Sequence, residues 1–191
     1  MESFGERAVR AAREAAENET RGDGRNPDPG SGFDRKSGVF VTINTASGNL
    51  RGCIGYPEPV LPLGEALISA ARSACHDPRF RPLTPEEAAE CIFEVTVLTP
   101  PERIQYSSEK ELLNQIEIGR DGLIITMMGR RGLLLPQVPV EWGWNKEEYL
   151  ENLSMKANLP PGAWKSKSAV IEKFGGEIYA EESPRGNVIR K

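Results

Sequence analysis

GVFVTINTASGNLRGCIGY, running from Gly38 to Tyr56, is the stretch on which the fold turns. Val39 to Asn44 alternates β-forming residues, and TASGN (Thr45 to Asn49) supplies turn chemistry. LRGCIGY (Leu50 to Tyr56) is then predicted to return antiparallel as the second strand of a hairpin. A hairpin this tight leaves no room for the helical crossover that parallel strands need. The rest of the chain repeats the pattern. CIFEVTVL (Cys91 to Leu98) reads as a strand. DGLIITMM (Asp121 to Met128) and GLLLP (Gly132 to Pro136) flank GRR (Gly129 to Arg131) as a second hairpin, and AVIEKF and EIYAE add one or two strands. Interspersed helices and tightly joined strand pairs predict an α+β fold with mainly antiparallel sheet flanked by helices.

The helices announce themselves at their starts. Ser3 with Glu6, Thr84 with Glu87 around Pro85, and Ser108 with Glu111 have capping-box spacing, and Asn145 caps a helix expected to run to about Leu159. Phe4, Ala8, Ala12, Ala15 and Ala16 form an apolar stripe, as do Leu63, Leu67, Ala70, Ala71 and Ala74 on a helix from Leu63 to Cys75. Residues 20–37 are dense in Gly, Pro and Asp, which predicts a mobile surface loop, and residues 182–191 read as a frayed polar tail. With 191 residues the chain suits one domain over 1–191, built as two subdomains.

Composition closes off several functions. Apolar residues at 38% and charged residues at 27% are the balance of a globular chain, neither disordered nor membrane-embedded. No apolar run reaches the roughly 20 residues that span a bilayer. MESFGERAVR has no apolar signal core, so the expected location is cytoplasmic. A net charge of −4 argues against a general polyanion binder, while Arg79/Arg81 and Arg130/Arg131 are basic clusters suited to one small anion. No Walker A sequence and no G-x-G-x-x-G after a strand is present, so no cofactor is expected. Three cysteines without a CxxC pair, and a single histidine, predict neither a disulfide framework nor a metal site.

The chemistry-bearing candidates gather around Cys53. Gly52 and Gly55 frame it, and glycine inside a strand marks a bulge or the close approach of another backbone or a ligand. With period-two alternation, Arg51 and Cys53 are predicted to share a face. A cation beside a cysteine favours the nucleophilic thiolate. Cys53 is therefore read either as a nucleophile or redox thiol, or as a small core hydrophobe with Arg51 a surface charge. In DPRF (Asp77 to Phe80), Asp77 and Pro78 set a turn, and either Arg79 reaches the same cleft as an anion fork or Asp77 pairs with Arg79 or with Arg51. His76 is the one imidazole, and a Cys53–His76 dyad is the less favoured arrangement; Asp77 or Glu94 is the preferred base if one exists. Gln137, behind Pro136, is placed at a pocket rim. Trp142 and Trp144 line a cleft or simply pack.

LRGCIGY, DPRFRPLT, IGRDGLIIT, RGLLLPQVPVEWGW and KANLPPGAW, in this order, resemble the AMMECR protein family, named after a human chromosomal region. The resemblance spans roughly residues 4 to 180. It implies an α+β fold of two subdomains with the cysteine segment near their junction, in a cleft. In prokaryotes the family is often encoded beside, or fused to, a Memo-like protein and a radical-SAM enzyme, which implies a shared modification pathway but no settled activity. Three function classes follow: a cysteine-dependent enzyme acting on a small anionic substrate, a non-catalytic adaptor or binding subunit of that system, and a nucleic-acid-associated protein. The last has only a faint likeness of SGVFVTI to an RNA-recognition strand behind it.

Overall fold

The structure, a computed structural model, describes residues 2–191. In chain order it contains α1 (Phe4–Thr20), β1 (Val39–Asn44), β2 (Leu50–Tyr56), α2 (Leu63–Ala74), α3 (Pro85–Glu90), β3 (Ile92–Leu98), β4 (Glu102–Arg103), α4 (Glu109–Asn114), β5 (Gly122–Met127), β6 (Arg130–Leu134), α5 (Val138–Trp142), α6 (Lys146–Lys156), a 3-10 turn (Ala163–Lys165), β7 (Val170–Phe174), β8 (Gly176–Glu181) and β9 (Val188–Arg190). Every strand pairing is antiparallel. The α+β expectation is met.

The chain divides into two compact units. The first holds the chain up to Leu98 together with Gly176–Lys191, and Thr99–Gly175, inserted between β3 and β8, makes the second. In the first unit a five-stranded sheet has the order β2-β1-β3-β8-β9. Val39, Val41 and Ile43 on β1 and Phe93, Val95 and Val97 on β3 bury one face against α1 and α2. Ala8, Ala12, Ala15 and Ala16 of α1 and Ala66, Ala70, Ala71 and Ala74 of α2 are fully or almost fully buried. Such small side chains let the two helices and the sheet approach closely. Larger residues supply most of the driving force, Leu63, Leu67 and Ile43 each contributing about 2 kcal/mol on burial.

The second unit has a four-stranded sheet in the order β4-β7-β5-β6, with a core of Leu123, Ile125, Ile171, Tyr149, Leu150, Leu153 and Trp164. Its hairpin turn is tighter than GRR suggests. Met128 and Gly129 carry positive φ (52° and 74°), the two-residue turn whose twist suits antiparallel strands, so Arg130 and Arg131 belong to β6. The helix begun by Asn145 and Glu148 stops at Lys156, short of Leu159, because Asn158 enters the left-handed region at φ 55°.

Two polar stretches make contacts that their composition does not announce. The tail turns back as β9, pairing Val188 with Glu181 and Arg190 with Tyr179, and is not frayed there. The signal lay in Val188 and Ile189, a short apolar pair at the end of a polar run. Thr20 closes α1, and residues 21–37 form no helix and no extended strand, as their Gly and Pro content requires. Their backbone is nonetheless tied at several points. Arg7 donates to the carbonyls of Pro29 and Ser31, the amides of Leu63 and Gly64 donate to Arg35 and Phe33, and the Phe33 ring stacks on Phe4 at 4.6 Å.

Candidate functional site

The β1–β2 hairpin reverses at Thr45–Gly48, where the Gly48 amide donates to the Thr45 carbonyl and Gly48 takes φ 85°. Asn44 pairs with Leu50 but Ile43 pairs with Gly52, so Arg51 is the extra residue of a β-bulge. The bulge breaks the alternation that would have put Arg51 and Cys53 on one face. Gly52 lies opposite the buried Ile43, and a Cβ there would stand 2.3 Å from the Ala74 carbonyl oxygen at the end of α2. Cys53 lies opposite Thr42, and its Sγ is 3.2 Å from Thr42 Oγ1.

Arg51 consequently goes elsewhere. Its guanidinium donates to Glu87 Oε2 (2.9 Å) and to the Pro82 carbonyl (3.3 Å), and it lines a hollow of about 350 Å³ with Glu87, Glu90 and Cys91. The expected Arg51–Cys53 pairing is replaced by an Arg51–Glu87 ion pair. Glu87 receives the Thr84 amide, which closes the α3 capping box and, with Arg81 and Arg51, holds its carboxyl down at about 2. The thiols that feel the Arg51 charge are Cys75 and Cys91, both buried. Burial pushes Cys75 up to about 12 and raises Cys91, with Arg51 opposing it only in part.

DPRF delivers the groups that do meet Cys53. The Cys53 amide donates to Asp77 Oδ2 at 2.9 Å. Arg79 closes the turn, its amide and Nε donating to Oδ1 (3.0 Å each) and Nη2 to Oδ2 (2.7 Å), while Nη2 also reaches the Cys53 carbonyl at 3.3 Å. Asp77 is 2% exposed, and its side chain holds the Cys53 amide, the Arg79 amide and a bidentate guanidinium together. The Arg79 guanidinium foremost, then the two amides, keep its carboxyl far below the usual carboxylate range although burial opposes them. Such a group stays ionised and accepts protons poorly, which removes Asp77 as a general base. The Phe80 ring has the Arg79 and Arg51 guanidiniums at 5.7 and 5.9 Å from its centroid, a half-buried platform between two cations.

Of the other candidates in the first unit, His76, Glu94 and Gly55 are engaged with other protein groups. His76 is exposed and its Nε2 lies 2.9 Å from Glu19 Oε1, so its ring is engaged with α1. Glu94 faces Thr42 in the β1–β3 register, but its carboxylate takes the Lys191 ammonium at 2.5 Å. Gly55 admits the Phe40 ring and the Val39 carbonyl, each 2.4 Å from where a Cβ would be, so its space is filled by protein. Gln137 belongs to the second unit, exposed just ahead of α5. Trp142 and Trp144 stack at 6.0 Å, with Trp142 70% exposed. Thr42 and Glu87 escaped the sequence reading. Counting back from the turn finds Thr42 only if the bulge is known, and Glu87 was legible as a cap but not as the Arg51 partner. Among the described residues no cluster of three or more metal-ligating side chains occurs. Among the same residues, no helix is long and apolar enough to cross a membrane.

The chain matches the AMMECR1 family over residues 8–179. It is 53% identical over 161 residues to protein MJ0810 of Methanocaldococcus jannaschii, covering 83% of this chain and 80% of that protein. A Thermococcus gammatolerans protein is 48% identical, with 100% of this chain and 96% of that one covered. Among solved structures, the uncharacterized protein PH0010 from Pyrococcus horikoshii superposes with a TM-score of 0.76 at 45% identity, covering 98% of this chain and 96% of that one.

Proposed function

The chain belongs to the AMMECR1 family, and on that footing we propose that it is a thiol protein whose working group is Cys53 and whose ligand is a small anion gathered by Arg79. The observation that carries this reading is the clamp around one cysteine. Cys75 and Cys91 are buried, whereas Cys53 is half-buried, with its amide fixed by Asp77 and its carbonyl by Arg79. A thiol on a main chain held this way keeps one position, and position is what a reactive group needs. The Arg79 side chain is 56% exposed beside it and, while its Nε and Nη2 hold Asp77, brings a permanent cationic charge next to the thiol. Thr42 orients the sulfur through its hydroxyl. In this reading the substrate comes from the modification pathway that the family resemblance implies, with Memo-like and radical-SAM proteins as partners. Peptide mapping after brief iodoacetamide treatment tests the premise. Label on Cys53 in native protein, with Cys75 and Cys91 labelled only after unfolding, supports it; a protected Cys53 removes it.

A non-catalytic adaptor is the second reading, and a specific observation favours it. Asp77, Glu87, Arg51 and His76 are each engaged with another protein group, so no acid or base stands ready at the thiol. On that reading the same face binds a partner or a small acid without transforming it.

A further inference from the structure

The second unit has a cavity of about 540 Å³ beside the β4 edge, bounded by the segment entering α4 and by the chain just after the 3-10 turn. That volume lies in the range of small-molecule sites. Its floor is apolar, made by Ile104, Ala169 and Ile171, all buried. Its rim is cationic. Arg103, Lys165 and Lys167 line it, and the one carboxylate among the lining residues, Glu109, stands 3.5 Å from the Lys165 ammonium. Three cations against one acid leave a local excess of two positive charges in a chain whose net charge is −4. Among the described residues, the side chains of Arg103 and Lys167 make neither an ion pair nor a hydrogen bond, so their donors face solvent. Tyr106 is half-buried on the same wall, offering a ring face and a hydroxyl donor, and the Ser166 hydroxyl, bonded to Ser168 at 2.9 Å, adds another polar atom.

We infer that this cavity binds a small organic phosphate, its phosphoryl group between Arg103 and Lys167 and its organic part over Tyr106 and the apolar floor. The division of labour follows from the lining. A guanidinium and an ammonium without protein acids recognise a dianion through charge-assisted hydrogen bonds. A bare inorganic ion would leave the ring and the isoleucines unused, whereas a flat organic group covers them. The site is made only of residues in the second unit and does not depend on Cys53.

The test is a titration of the full chain, watched by amide NMR at fixed ionic strength, with adenosine 5′-monophosphate, adenosine and inorganic phosphate as probes. The monophosphate is expected to give saturable shifts confined to residues 103–109 and 165–171, with phosphate weaker and adenosine weaker still. The exposed pair Arg103→Ala/Lys167→Ala is expected to weaken the monophosphate by about tenfold, the loss of two charge-assisted contacts. Glu109→Gln, which removes the competing carboxylate, is expected to tighten it. No saturable shift by roughly 10 mM, the weak end of specific binding, would overturn the inference. So would shifts centred elsewhere, or equal affinity in the double variant.

Discussion

The backbone amide of Cys53 donates to Oδ2 of Asp77 at 2.9 Å, joining a strand to a turn 24 residues later in the chain. Because Asp77 also takes the Arg79 guanidinium, a single buried carboxylate sets the position of the candidate thiol. Asp77→Asn keeps the shape but loses the charge and part of the bidentate pair. It is expected to cost about 2 kcal/mol at neutral pH, the scale of a buried charged hydrogen bond left incomplete. The cost has a pH signature. The folded carboxyl titrates below its unfolded value, so its contribution is full above about pH 4 and declines as pH falls through the folded value. Urea unfolding of both proteins should show the gap narrowing below pH 4; a gap independent of pH would mean the charge is not what stabilises.

Gly52 is predicted to tolerate no side chain. A Cβ there meets the Ala74 carbonyl oxygen at 2.3 Å, and that backbone atom cannot swing aside as a flexible side chain would, so Gly52→Ala should destabilise by about 3 kcal/mol, the upper end of overpacking costs. Gly24→Ala, with nothing within 4 Å and no positive φ, is the control and should fall within about 0.5 kcal/mol of wild type. Denaturant midpoints decide it.

The first hairpin, the Ser3 and Thr84 capping boxes and the sheet type were legible in local patterns, because caps and alternation are short-range chemistry, whereas at Ser108 the Glu111 carboxylate turns to Ser107 and closes no box. The surroundings of the thiol were only half legible. Gly52 did mark both a bulge and a close backbone approach, the two things a strand glycine signals. Yet the reading of Arg51 and Cys53 as one face assumed unbroken alternation, and one inserted residue reverses that. Which carboxylate would claim Arg51 was beyond the sequence, since Glu87 lies 36 residues away and meets it only through the fold.

Arg51 and Arg79 should therefore separate in function. Arg51→Gln, with its side chain 11% exposed and paired to Glu87, is expected to lower stability by about 1–2 kcal/mol and leave Cys53 labelling unchanged. Arg79→Gln should change Cys53 labelling. Thermal unfolding and labelling rates, measured on both variants, check the split; equal effects of the two would erase it.

Residues 20–37 offer a test of how firmly a coil can be held. Composition predicts mobility, while the contacts of Pro29, Ser31, Phe33 and Arg35 predict slow cleavage there. Limited trypsinolysis should cut at Arg21 before Arg35 or Lys36. First cleavage at Arg35 or Lys36 would show that the contacts open readily.

The most direct test of the central claim compares the rates at which iodoacetate and iodoacetamide alkylate Cys53, each divided by its rate with free glutathione. If Arg79 gathers anions beside a held thiol, the anionic reagent is favoured at Cys53 by about threefold at low salt, and Arg79→Gln or added salt abolishes the preference. No preference in wild type, or one that survives Arg79→Gln, would contradict the account.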